Sequence, residues 1–216
     1  MATEPPSART TVRRMRERGV YDAATIEAIL DEALICHVGV LVDGSPVVLP
    51  TVHTRRGRTL YLHGARANAL LRAADGADVC VTATLVDGLV LARSAFHHSI
   101  NYRSVVVRGR GRAVTDPDEQ RTAMDALVEH VAPGRSGETR APDPSELRAT
   151  LTLAVRLDEA SAKVRTGPAI DEPEDHALPH WSGVLPLALV PGPPQPDPDQ
   201  PADRPVPPSV RDWRRP

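Results

Sequence analysis

Cysteine, lysine and long apolar runs are all scarce in this chain. Only Cys36 and Cys80 are present, in no CxxC or Cys/His zinc spacing, so neither a disulfide framework nor a structural zinc site is indicated and no metal ligand set is expected. The longest nearly uncharged apolar stretch near the start, Ala33 to Val42, is ten residues with His37 inside it, far short of the roughly 20 that cross a bilayer. No membrane partner is therefore expected. The first twenty residues, MATEPPSARTTVRRMRERGV, contain arginines but no apolar core of a secretory signal, which makes the cytoplasm the expected location. Neither sign of charge prevails: the net charge is -2 over 216 residues. The chain thus lacks the basic field with which a nucleic-acid binder tracks phosphates, and no nucleic acid is expected as a partner. Lys163 is the only lysine among 26 basic residues, a substitution bias that leaves arginine by itself little meaning. Also missing are G-x-G-x-x-G after a strand, a Walker A sequence and a G-x-S-x-G elbow, so dinucleotide-fold, P-loop and serine-hydrolase readings lack their motifs.

What is present is enough hydrophobic sequence, 41% before 14 glycines are added, for one packed domain. Its boundaries are compositional. Residues 1–20 form an Arg-rich arm, residues 21–170 a single domain, and residues 171–216 a C-terminal segment with an acidic, Pro-rich tail. Nine of the eighteen residues from Pro191 to Pro208 are proline, which predicts an extended, largely solvated stretch.

Inside the domain, Asp22 is placed to cap a helix in which Ile26, Ile29, Leu30 and Ala33 recur at helical spacing. Short β-like runs follow at Ile35 to Val42, Pro46 to Thr54 and Thr59 to His63, then a short helix at Ala65 to Ala74. Asp78 to Leu85 and Leu89 to Ser94 read as two strands about an Asp87-Gly88 turn. In Arg103 to Val114, Val105, Val107, Gly109, Gly111 and Ala113 share one face, and Arg108, Arg110 and Arg112 the other, a solvated stripe. A second helix spans Asp116 to Val131, with Met124, Leu127, Val128 and Val131 on its apolar face, and a strand at Ala149 to Leu157 closes the block. The pattern predicts a mainly β protein, an antiparallel barrel with helices outside it.

Candidate chemistry gathers at strand ends: His53, the run His63-Gly64-Ala65-Arg66-Ala67-Asn68, Arg93-Ser94, and Asn101-Tyr102-Arg103-Ser104. Gly64 allows close backbone approach, and Arg66, Arg93 or Arg103 suit an anion such as a phosphate. Ser94 with His97 or His98 and Asp87 is the one local nucleophile-base grouping, without the elbow that would expose it.

These same residues carry a resemblance. DGLVLARSAFHHSINYRSVVVRGRG, with YLHG at 61–64, DEASAKVRTGP at 158–168 and LPHWSGVLPL at 178–187, resembles the pyridoxamine 5'-phosphate oxidase-like FMN-binding split-barrel family, over nearly the whole chain. More narrowly it resembles the branch of flavin-nucleotide-binding proteins, which is also similar to the nitroimidazole-resistance reductases. The resemblance implies a six-stranded antiparallel split barrel with short flanking helices, forming a homodimer with FMN at the interface. It implies a flavin ring along Pro50, Thr51, Val52 and His53, and a phosphate near His63, Gly64, Arg66 and Asn68. It places Ser94, Tyr102, Arg103 and Ser104 along the site and Trp181 near the ring; His53 or His98 is the candidate catalytic proton donor near the substrate face. The activity implied is a flavin-dependent oxidoreductase acting on a small molecule, with NAD(P)H as a possible donor. The alternatives are a non-catalytic flavin carrier or sensor, a deazaflavin binder, and a metal or haem binder using His63 with His97 or His98. One departure from the family stands out: relatives often carry hydroxyls just after the YLHG-like strand, whereas this chain has Ala65, Arg66, Ala67 and Asn68.

Overall fold

Asp22 opens the first helix as its position requires, its carboxylate accepting from the Thr25 N–H at 2.9 Å, and α1 runs Ala23–Glu32 with Ile26, Ile29 and Leu30 buried. The computed structural model describes residues 4–201 and 203–215. Strand β1 (Gly19–Val20) precedes α1; β2 (Ile35–Val42), β3 (Ser45–Arg56) and β4 (Thr59–Ala65) follow it, then α2 (Ala69–Ala74), β5 (Asp78–Leu91), β6 (Ser99–Arg110) and β7 (Arg112–Ala113). The chain continues through α3 (Pro117–Val131), α4 (Pro144–Ala149), β8 (Thr150–Arg156), β9 (Glu159–Arg165), β10 (Gly183–Pro186) and α5 (Pro208–Arg211). At the β2–β3 turn Asp43 and Gly44 both have positive φ, 50° and 78°, the mirror-image turn whose twist matches the flanking strands.

All ladders are antiparallel, in the order β1-β9-β6-β5-β2-β3-β4-β8-β7, with β10 on β5. The sheet closes on itself because β7 follows β6 after Gly111 alone and pairs with β8. Gly111 makes this possible: a Cβ there would lie 2.2 Å from the Ala74 carbonyl oxygen. The glycines of the RGRG run therefore serve closure of the barrel. Mainly β architecture is as the sequence implies, although the sheet holds ten strands among the described residues where six were expected. Alternate residues Cys36, Val38, Val40, Leu60, Leu62, Val79, Val81, Val105, Val107, Leu153 and Val155 fill the interior, with Leu30 of α1 and Leu71 of α2 against them. Each such Leu or Val contributes about 1.5–3 kcal/mol by leaving water.

The structure departs from the sequence reading at Asp87-Gly88 and adds to it in the C-terminal tail. Asp87-Gly88 is not a turn: β5 passes straight through it as one strand, with a bulge between Val86 and Gly88. Arg103 holds the Asp87 carboxylate, and β10 pairs along Gly88 to Leu91, so contacts absent from local sequence keep the chain extended. The proline-rich segment is irregular, but it is tethered at its end. Ser209 is buried, its hydroxyl donates to Glu138, and the Trp213 indole N–H donates to the Val131 carbonyl at 2.8 Å. Arg215 reaches the carbonyls of Glu32 (2.8 Å) and Asp31 (2.5 Å) at the end of α1 and that of His130 in α3. One guanidinium thus satisfies orphan carbonyls of two helix C-termini.

No helix among the described residues is long and apolar enough to cross a membrane.

Candidate functional site

β3 is a long strand shared between two neighbours. Ser45 to Val52 pair with β2, whereas only His53 to Arg56 pair with β4. Beyond the His53–Leu62 pair the two strands part, which leaves one edge of residues 45–52 without a ladder. Val52 and His63 stand on either side of this fork, so the structure brings Pro50, Thr51 and Val52 to the same place as His63 and Gly64. Pro50 lacks an N–H and sits on the stretch with a free edge, where a missing donor does no harm. The outer face beside it is apolar and exposed: Ile35 is 42%, Leu41 64% and Val48 61% accessible.

His63 lies on the outward side of β4, opposite Thr152 of β8. It borders a cavity of about 510 Å³ together with Met124, Leu127 and Val128 of α3, Ser136, and Arg140. The cavity exists because α3 packs through Ala123 and Ala126, with the Thr54 hydroxyl donating to the Ala126 carbonyl at 3.0 Å. Met124, Leu127 and Val128, expected to share the helix's apolar face, are left half-buried along the cavity wall, and Val131 is exposed. His63 Nδ1 and Thr152 Oγ1 are both buried without a hydrogen-bond partner. Burial pushes the His63 imidazole below its usual range, keeping the ring neutral and its lone pair available.

Other expected site residues are committed elsewhere. Gly64 is approached by side chains of this chain: a Cβ there would meet Leu71 Cδ1 at 2.9 Å and Asn68 Nδ2 at 3.2 Å. Asn68 caps α2, its side-chain oxygen accepting from Leu71 N–H at 3.1 Å, so the helix starts later than the sequence reading had it. Arg103 donates to Glu32 Oε1 at 2.7 Å and to Asp87 Oδ1 at 2.8 Å, which raises its pKa and leaves no free fork for an anion. Arg93 is likewise held by Asp171 at 3.0 Å. Arg66 is exposed, and among the described residues its guanidinium meets the Arg148 carbonyl alone, at 3.4 Å.

His53, expected beside substrate, is enclosed instead: it is fully buried, its Nε2 donates to the Leu30 carbonyl at 2.9 Å, and its ring lies 4.8 Å from that of His130. That position serves the end of α1. His98 stays exposed, with Nδ1 at 3.0 Å from the Ser94 carbonyl. The Ser94 hydroxyl is buried without a partner, Tyr102 and Ser104 lie half-buried along β6, and Ser104 donates to the Lys163 carbonyl at 3.3 Å. Trp181 is 67% exposed and its ring covers Gly183. His97 sits 3.5 Å from Glu172 and does not border the cavity that His63 borders. Among the described residues no group of three or more His, Cys, Asp or Glu is arranged to hold a metal ion.

Sequence reasoning did not single out Met124, Ser136, Arg140 or Thr152 as site residues. Met124 was legible only as part of an apolar helix face and Thr152 only as a residue of the closing strand, and nothing local marked Ser136 or Arg140.

The closed antiparallel sheet, split where β3 leaves β4, defines a split barrel. The family model for pyridoxamine 5'-phosphate oxidase matches residues 22–164, and the chain belongs to that family. It is similar to a flavocytochrome from Azotobacter vinelandii: 39% identity over 98% of this chain and 99% of that one, TM-score 0.91. An FAD- and haem-binding protein from Mycobacterium smegmatis is 37% identical over 92% of this chain and 98% of that one, TM-score 0.87. A 5-nitroimidazole antibiotic resistance protein from Bacteroides thetaiotaomicron is 26% identical over 68% of this chain and 86% of that one, TM-score 0.56. A search of curated proteins found no match.

Proposed function

We propose that this chain is a flavin-dependent oxidoreductase of small molecules, working as a homodimer in the cytoplasm and carrying haem as a second prosthetic group. One observation carries the reading: the unpaired edge of residues 45–52 opens beside the cavity under α3, in a chain 39% identical to a flavocytochrome along nearly its whole length. The unladdered backbone of β3 suits the polar edge of a flavin ring, and Arg66, unpaired with any carboxylate among the described residues, suits its phosphate. When bound, the flavin supplies hydride or electron transfer between a donor such as NAD(P)H and an acceptor.

FAD is favoured over FMN. Residues 65–68 offer no hydroxyl, the Asn68 carbonyl is spent on a helix cap and Arg103 is spent on two carboxylates, so a terminal phosphate finds few donors. The relative at 37% identity is an FAD- and haem-binding protein. A second copy of the chain covers the exposed Ile35, Leu41 and Val48 and closes the flavin groove. His98, with Nε2 open to solvent, is the proton donor on the substrate side. Both cysteines are free thiols, in keeping with a reducing compartment.

The test is the absorbance spectrum and light-scattering mass of the purified protein, with heat release of the chromophore and anaerobic NADPH addition. A dimer yielding FAD that bleaches with NADPH supports the reading. A protein that neither retains nor takes up a flavin overturns it, and a bound flavin inert to every donor reduces it to a carrier.

A further inference from the structure

Three arginines from three separate parts of the chain line one cavity. Arg66 follows β4, Arg121 lies in α3 and Arg148 in α4, and together they border a space of about 480 Å³ whose lining, among the described residues, contains no Asp or Glu. Like charges gathered without a counter-charge repel one another, and a bound anion relieves that repulsion. The carboxylates of this region are spent elsewhere. Glu146 is held by Arg140 at 2.6 Å, and Glu119 by Arg112 at 2.6 Å and the Tyr61 hydroxyl at 2.9 Å. Asp116 caps α3, accepting from the Asp118 N–H at 2.9 Å, so the helix end is itself closed to an anion. Asp118 pairs with Arg121 at 2.7 Å but is 89% exposed, a surface contact weak enough for a doubly charged ligand to replace.

The arginines stand on a braced frame. The Gln120 side-chain amide donates to the carbonyls of Leu147 at 2.9 Å and Thr150 at 3.0 Å, which ties α3 to the end of α4 at the residues next to Arg121 and Arg148. The Arg66 N–H donates to the Ala149 carbonyl at 2.9 Å. A site assembled before binding loses less free energy on ordering. Between the charges the wall is apolar: Val114 and Leu147 are buried, Leu151 is half-buried, and Pro117 and Pro144 border the same space. Phosphate is the anion that matches guanidinium forks, and the apolar wall beside them suits a heterocyclic base. The volume falls in the range of small-molecule sites. Arg66 stands two residues past Gly64, so the cavity adjoins the fork at which the flavin is proposed.

We propose that this cavity holds the 2'-phosphate and adenine of a nicotinamide donor, with Arg121 and Arg148 as its phosphate ligands, and that it makes NADPH rather than NADH the reductant. Arg66, on the wall shared with the groove, keeps its place at the flavin phosphate. The proposal rests on the oxidoreductase reading above, and a binding measurement separates the two.

The full-length protein, as purified with its bound flavin, is titrated calorimetrically with NADP+ and with NAD+, which differ only in the 2'-phosphate. NADP+ should bind about 10-fold or more tighter, the factor expected of one charge-assisted hydrogen bond. Arg121→Gln and Arg148→Gln, both at exposed positions, should each weaken NADP+ by about 10-fold while NAD+ affinity and flavin absorbance stay as they are. Equal affinity for the two nucleotides, or binding of neither, overturns the proposal. So does a preference for NADP+ that survives both substitutions, which puts the phosphate elsewhere, and so does loss of flavin from the variants, which assigns the cavity to the flavin. Selectivity that depends on both arginines, in a protein whose flavin NADPH does not bleach, leaves the site standing and overturns the reductase reading. A flavin bleached by NADPH with no dependence on either arginine does the reverse.

Discussion

Arg103 Nη2 donates to Asp87 Oδ1 at 2.8 Å while the same guanidinium holds Glu32 at the end of α1. One side chain of β6 thus ties together a bulge in β5 and the helix that lies over the core. All three groups are about 30% exposed, between a solvated surface pair and a buried one. Arg103→Gln should destabilise the protein by about 1–2 kcal/mol, read as a lower urea midpoint at unchanged m value. Loss confined to flavin affinity, with stability unchanged, would instead show that Arg103 serves the ligand.

Gly111 and Gly137 make a matched pair of alanine substitutions. A Cβ at Gly111 meets the Ala74 carbonyl oxygen at 2.2 Å, while one at Gly137 meets nothing within 4 Å. Gly111→Ala should cost about 3 kcal/mol or more, and Gly137→Ala should stay within about 0.5 kcal/mol. Thermal unfolding of both measures the difference, and similar melting temperatures would contradict closure of the barrel at Gly111.

The two imidazoles beneath α1 should make stability depend on pH. His130 is pushed down to about 4, first by burial and then by His53 and Arg215, and His53 is lowered chiefly by burial. The unfolded chain therefore binds protons that the folded one refuses between about pH 6.5 and the lowered values. Stability is complete above about pH 6.5 and declines as the pH falls toward 4. Urea midpoints at pH 7, 5.5 and 4.5 should fall in that order, and His130→Gln, which keeps a donor for Ala33, should flatten the decline.

Arg215 donates to carbonyls at the ends of both α1 and α3. Arg215→Ala should cost about 1.5–3 kcal/mol, the range for hydrogen bonds from a charged donor, and Trp213→Phe about 1 kcal/mol. Hydrogen exchange offers the local check: protection should drop in the last turns of α1 and α3 before it drops in β5 or β6. Unchanged protection there would mean that the tail contributes nothing to either helix.

Much of this architecture could be read in advance from residues whose effects are local. Asp22 caps its helix through an N–H three residues on, Asp43-Gly44 turns a hairpin by its positive φ, and alternating Val105, Val107 and Gly109 assign an inward face to a strand. The resemblance carried by the FHHS-x-NYRSVV block then pointed to a split barrel, and the family comparison agrees. The resemblance likewise named Pro50 to Val52 and His63 together, and the two lie on either side of the fork between β3 and β4.

Distant partners decided the rest. Asp87-Gly88 reads as a turn in isolation, and only Arg103 and β10 keep it extended. Arg103 and Asn68 look like free ligand donors until Glu32, Asp87 and the end of α2 claim them. His53 and His63 are equally plausible in sequence, but one falls beneath α1 with its nitrogen on Leu30 and the other opens on a cavity. Local sequence sets backbone preference and the side of a strand that a residue faces. Which group comes to lie opposite, and so whether a polar atom is spent or left free, depends on strand order and helix docking. His63 beside Thr152 is therefore a product of β4 meeting β8, across nearly ninety intervening residues.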